Sequence, residues 1–226
     1  MINSAPCPVL YSFRRCPYAM RARLALLASG QRCELREVVL RDKPAALLAV
    51  SSKATVPVLV TPEGQVIEQS LEIMLWTLRQ NDPLAWLGEG ESLLAPSLGL
   101  IQRCDGDFKH HLDRYKYPHR YDLPDGLAHR TLACEFLNDL NTRIQANGQL
   151  LRQTPCLADM AIAPFVRQFA HTDPGWFAAQ PLSALQAWLI EFEASALFLR
   201  AMPKFAPWEP EQAPVIFPDN NLLSIR

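Results

Sequence analysis

The sequence predicts a small α/β domain followed by an all-helical one. Three observations carry this. Short apolar strand-like runs alternate with helix-forming segments up to residue 80, residues 81–92 carry Pro83, two glycines and several acidic residues, and from residue 93 the apolar pattern is helical throughout.

Each element has a local reason. Residues 9–13, Val-Leu-Tyr-Ser-Phe, read as a strand. Residues 18–29 are rich in Ala, Leu, Met and Arg, and Gly30 suits the helix stop. Residues 33–40 alternate into a second strand, and Pro44 takes the first turn of a short helix over 44–50. Residues 58–60 and 65–67 flank Thr61-Pro62-Glu63-Gly64, a hairpin turn signal. A helix over 69–79 follows, with Leu71, Ile73, Met74, Leu75 and Leu78 on a broad apolar face. The order is β-α-β-α-β-β-α with a mixed sheet, giving a first domain over 1–80, a linker over 81–92 and a helical domain over 93–226. Helices are expected at 93–116, 125–147, 157–171 and 181–199, and the five prolines after Met202 suggest an irregular tail on the surface.

Composition narrows the classes. The 226 residues are 49% hydrophobic and 20% charged, ordinary for a globular protein, and the net charge of -1 gives no field for nucleic acid or an anionic membrane. The basic–aromatic stretch 108–121 is too short to change that, and no apolar run reaches the length of a membrane span. Met1-Ile2-Asn3-Ser4-Ala5-Pro6 has neither a basic start nor an apolar core, so a cytoplasmic location is expected. The six cysteines are scattered without a Cys-x-x-Cys pair and read as thiols in a reducing compartment. His110 and His111 are adjacent on a helix and read as pointing apart, so no metal is expected.

Chemistry concentrates at Arg14-Arg15-Cys16-Pro17-Tyr18-Ala19. Pro17 suits the first helical position, which puts Cys16 at the N-cap, facing unpaired N–H groups and the positive end of the helix dipole. That environment, with Arg14, Arg15 or Arg21 nearby, favours the thiolate, the nucleophilic form. Thr55-Val56-Pro57-Val58 places a proline at the head of a strand, and Glu68-Gln69-Ser70 places a hydroxyl at a helix start, suited to an anion.

Together these motifs resemble the cytosolic glutathione transferases, over about nine-tenths of the chain. The first domain resembles their thioredoxin-like domain. Cys16-Pro17-Tyr18-Ala19 followed by Arg21-Ala22-Arg23-Leu24 is similar to the omega-class, cysteine-type enzymes, which are related to two-domain glutaredoxins. The resemblance implies glutathione as co-substrate, a cis bond between Val56 and Pro57, and a cradle formed by Lys43, Val56, Pro57, Glu68, Gln69 and Ser70, with the choice between Glu68 and Gln69 for the γ-glutamyl group open. It implies a second-substrate pocket at Tyr18, Arg114, Tyr115, Tyr117 and Tyr121, and a homodimer. Dithiol glutaredoxins carry a second cysteine at the position of Ala19, so this chain is expected to exchange one thiol only, with glutathione resolving it.

The implied function is a thiol transferase acting on a glutathionylated substrate or small electrophile, by deglutathionylation, dehydroascorbate reduction or reductive cleavage of a conjugate, with weak conjugation activity. The alternatives are a non-enzymatic binding protein on the same fold, of the stringent starvation protein type, and a peroxide-sensing thiol resolved by another cysteine. The run Thr154-Pro155-Cys156-Leu157-Ala158-Asp159 resembles the family's capping box, with Cys156 where Ser or Thr is expected and a weaker cap as the consequence.

Overall fold

The structure is a computed structural model and describes residues 7–219. The chain divides into two compact units. One comprises the described residues through Leu84 together with those from Ala196 onward, and the other is Ala85–Ser195.

The first unit contains β1 (Val9–Ser12), α1 (Pro17–Ser29), β2 (Cys33–Glu37), α2 (Ala45–Val50), β3 (Val58–Val60), β4 (Val66–Ile67) and α3 (Ser70–Gln80), in the expected β-α-β-α-β-β-α order. β1 runs parallel to β2 and antiparallel to β3, with Leu10 opposite Leu35 and Leu59. α1 is buried along nearly its whole length, including Arg21 and Arg23, and it packs against α3. Gly30 closes α1 in the left-handed conformation (φ 73°), its N–H donating to the Leu27 carbonyl at 3.3 Å. Tyr11, Val38, Leu47, Val56 and Val58 form an apolar cluster, and Phe13 and Cys16 pack at its edge.

The tail departs from the expectation. It does not belong with the helical domain as a loose extension but groups with the first unit. Residues Ile216–Phe217 form β5, antiparallel to β2, so the sheet has five strands in the order β4-β3-β1-β2-β5. The physical reason is the outer edge of β2, whose Leu35 N–H would lack a partner without the Val215 carbonyl at 2.8 Å. Trp208 lies over the Arg36 guanidinium at 4.3 Å and edge-on to Tyr11, and its backbone N–H donates to the Glu37 carbonyl. Two strand residues among prolines are too few to show as a period in the sequence.

The second unit contains α4 (Leu94–Arg103), α5 (Lys109–Lys116), α6 (Leu127–Asn147), α7 (Leu157–Ala170), α8 (Pro174–Ala178) and α9 (Ser183–Ala194), and α10 (Ala196–Ala201) begins the first unit's tail. The single helix expected over 93–116 is interrupted by a π-turn at Cys104–Phe108, where Gly106 takes φ −87°, ψ −106°. The helix expected over 181–199 breaks at Ser195, whose extended backbone separates α9 from α10. Phe108 packs on Phe136 and Phe169 at the centre of the unit.

The expected capping box forms at the start of α7. The Asp159 carboxylate accepts from the Cys156 N–H at 2.9 Å, the Leu150 N–H at 3.0 Å and the Trp188 indole N–H at 3.3 Å. Cys156 is the weaker cap that the sequence implies, but Asp159 compensates by gathering a loop, a helix start and an indole. Burial pushes the Asp159 carboxyl up from its ordinary value, and burial followed by the neighbouring carboxylate pushes the Cys156 thiol up to about 12. Asp159→Asn is expected to cost about 1–3 kcal/mol, because an amide NH2 must face one of these donors. The urea unfolding midpoint checks this, and an unchanged midpoint would show that the carboxylate is dispensable.

Candidate active site

Cys16 sits where β1 has ended and α1 begins. Its backbone is extended (φ −78°, ψ 122°), Pro17 is the first helical residue, and the Cys16 N–H donates to the Phe13 carbonyl at 2.9 Å. Its side chain makes no capping hydrogen bond to the helix. The thiol is half-buried and donates to the Val56 carbonyl at 3.6 Å. The Val56–Pro57 bond is cis, so the sulfur and the backbone that heads β3 meet at one point of the first unit.

The loop carrying Cys16 is held from beneath. Glu37 at the end of β2 accepts from the Arg14 N–H at 2.6 Å and pairs with the buried Arg23 guanidinium. Arg23 also donates to the Ser12 hydroxyl at 2.8 Å and to the Ala201 carbonyl at 3.4 Å. Burial lowers the pKa of Arg23 and the Glu37 charge opposes that shift.

At the start of α3, Gln69 is the N-cap and is exposed, while Ser70 is the first helical residue and is buried. Arg21, with no exposed surface, donates to the Ser70 hydroxyl at 3.4 Å and lies over the Tyr18 ring at 5.4 Å. A buried guanidinium beneath a helix N-terminus makes that end more attractive to a carboxylate than the dipole alone. Glu68 accepts from the Ser51 hydroxyl at 2.6 Å, and Ser51 in turn accepts from the Ala54 N–H at 3.1 Å. Glu68 therefore anchors the loop that leads into Val56. Lys43 is half-buried between the Val39–Asp42 bridge and Pro44.

The remaining predicted residues lie on the second unit apart from Tyr18, which is on α1. Arg114 stacks over the Tyr121 ring at 4.2 Å, and Tyr117 receives Arg120 at 4.2 Å. Tyr115 is buried with its ring on Phe169, so this ring is committed to the helical core. Sequence reasoning missed the supporting groups Arg23, Glu37 and Ser51. The available signal was a pair of arginines on a helix that is otherwise apolar on every side.

None of the six cysteines is disulfide-bonded. Burial pushes the thiols of Cys7, Cys33, Cys134 and Cys156 above the ordinary cysteine value. These four are poor nucleophiles near neutral pH.

Residues 10–86 match the family model of the glutathione S-transferase N-terminal domain. A stretch of 61 residues is 38% identical to glutathione S-transferase omega-1 of Sus scrofa, covering 27% of this chain and about a quarter (25%) of that protein's length. Among solved structures, a glutathione transferase family member from Pseudomonas fluorescens pf-5, with two glutathione bound, has a TM-score of 0.75 at 16% identity, over 88% of this chain and 94% of that one. Glutathione transferase Omega 3C from Trametes versicolor has a TM-score of 0.71 at 19% identity, over 86% and 83%. At these identities the solved structures establish the fold: a thioredoxin-like domain and a helical domain, as in the glutathione transferases. Residues 10–86 match the model of that family's N-terminal domain, and the expected resemblance to glutathione transferases agrees with the similarity of a 61-residue stretch to an omega-1 protein.

Proposed function

We propose that this protein is a glutathione-dependent thiol transferase that works through Cys16. The observation that carries the reading is the cysteine at the N-cap of α1, with its sulfur 3.6 Å from the Val56 carbonyl before a cis proline. Glutathione would add its cysteinyl backbone to Val56 as a short strand beside Pro57. Its γ-glutamyl carboxylate would sit at the start of α3, at Gln69 and Ser70 with Arg21 beneath, and its glycyl carboxylate near Lys43. Glu68, tied to Ser51, would hold the Val56 loop, its role toward the γ-glutamyl amine secondary.

The Cys16 thiolate attacks the glutathionyl sulfur of a mixed disulfide, forming a Cys16–glutathione disulfide and releasing the other thiol. A second glutathione thiolate then attacks that disulfide, leaving glutathione disulfide and a regenerated Cys16 thiolate. Glutathione is the only reductant the cycle consumes. Tyr18 is the proposed contact for the second substrate within the first unit, a homodimer the proposed assembly, and the reducing cytoplasm the proposed setting. Deglutathionylation is this exchange itself. Cleavage of a conjugate, whose carbon would take up a proton as its C–S bond breaks, or of the adduct that glutathione forms with dehydroascorbate would lead to the same Cys16–glutathione disulfide and its release by a second glutathione, with classical conjugation weak.

Exposure of the full chain to glutathione disulfide is expected to add one glutathionyl group, on Cys16, as read by intact mass and peptide mapping. An intramolecular disulfide between Cys16 and another cysteine would overturn the one-thiol cycle in favour of peroxide sensing.

A further inference from the structure

The sequence reads His110 and His111 as neighbours on one helix with no metal partner. The structure adds a third imidazole. His129 comes from the first turns of α6, and its Nδ1 lies 2.8 Å from His111 Nδ1. The three rings pack together, with His110 and His111 edge-on at 5.0 Å and His111 and His129 tilted at 5.1 Å.

Gly126 makes this approach possible. A Cβ there would lie 2.5 Å from the Tyr115 Cα and carbonyl oxygen, so only glycine lets the start of α6 close on α5. One ring nitrogen of each histidine lies within 4.8 Å of the other two. Next to the cluster is a cavity of about 170 Å³, lined among others by His111, Asp107 and Glu135.

We propose that His110, His111 and His129 form a binding site for a borderline divalent cation of the zinc type, separate in chemistry from the Cys16 site. A tetrahedral ion with metal–nitrogen bonds of about 2.0–2.1 Å sets its ligands about 3.3 Å apart, so the His111–His129 pair needs to open by only about 0.5 Å. Neutral imidazole is the ligating form.

Arg114 is the group that works against a cation, since its guanidinium lies 3.0 Å from His110 Nδ1. It also lies over Tyr121 at 4.2 Å, which offers the guanidinium a second partner besides the imidazole. The Arg103 charge beside the cavity is engaged by Asp139 at 2.5 Å, and a water from the cavity would complete the tetrahedron.

The test is a titration of the untagged full chain with cobalt(II), read by its visible d–d bands, followed by displacement with zinc(II). One cobalt per chain in a nitrogen-rich tetrahedral site is expected, with no thiolate charge-transfer band. His129→Ala and the exposed His110→Ala are each expected to weaken binding about 10-fold or more, since even outer-shell changes at metal sites cost about that much. Zinc(II) is expected to raise the thermal midpoint of the unaltered protein and not that of either variant. Absence of the bands, an affinity in both variants equal to that of the unaltered protein, or a thiolate charge-transfer band would overturn the site. None of these outcomes bears on the glutathione chemistry, which is read by disulfide exchange.

Discussion

Replacement of Cys16 by alanine is expected to lower turnover of the mixed disulfide between hydroxyethyl disulfide and glutathione by about 10²–10³-fold, to the rate of the uncatalysed exchange. The size of the loss follows from the absence of a substitute. Ala19, one turn further along α1, is fully buried and has no sulfur, and the thiols of Cys7, Cys33, Cys134 and Cys156 are held protonated by burial.

The variant should fold normally. The Cys16 side chain makes no cap bond to α1, and its contact with the Val56 carbonyl is a long 3.6 Å, so an unchanged circular dichroism spectrum and thermal midpoint are expected. Glutathione affinity, measured by calorimetry, should fall little, because the cradle at Val56, Gln69 and Ser70 is intact. Unchanged turnover in a folded Cys16→Ala protein would sink the catalytic assignment and favour a binding protein on this fold.

What the sequence revealed and what it hid divide along physical lines. The Cys16–Pro17 junction was legible because a helix start is a local event: proline tolerates the first position and the preceding residue caps it. The strand–helix order of the first unit was legible for the same reason, since each element carries its own period. Pairings between distant residues were not. β5 contributes two residues to the edge of β2, and the Arg23–Ala201 bond spans 178 positions. Neither leaves a local trace.

The histidines illustrate the same limit. Adjacent positions on one helix were expected to point His110 and His111 apart, yet their rings meet edge-on at 5.0 Å, and Gly126 brings a second helix against them, an approach that depends on packing alone. At the candidate site the directly placed groups were readable from motifs, whereas their supports were not. Arg21 under Ser70, Ser51 on Glu68 and Glu37 under Arg14 act through burial and hydrogen bonds across the fold.

Glu37 is where the largest loss of stability is expected. Its carboxylate faces a guanidinium with no exposed side-chain surface and also takes the Arg14 N–H. Glu37→Ala would leave Arg23 charged and buried against the Ser12 hydroxyl, the Ala201 carbonyl and the Phe205 ring, none of which carries a compensating charge. Breaking a buried pair from one side costs about 3–5 kcal/mol, because the orphaned charge keeps its desolvation penalty.

Glu37→Gln keeps an oxygen for the Arg14 N–H but turns an amide NH2 toward the Arg23 guanidinium; because it leaves no cavity, a loss smaller than that of Glu37→Ala, about 1–3 kcal/mol, is expected. The double variant Arg23→Met, Glu37→Leu removes both charges and should be more stable than Glu37→Ala, since neither partner is then stranded. Denaturant unfolding of the three variants checks the order. A Glu37→Ala protein as stable as the double variant would mean that water reaches Arg23 and that the pair is not what holds this part of the fold. Because Arg14 precedes Cys16 by two residues, the same series separates stability from catalysis. Glu37→Gln should retain most disulfide exchange activity, while Glu37→Ala should lose activity at temperatures where it is still folded, as the turn before the cysteine loosens.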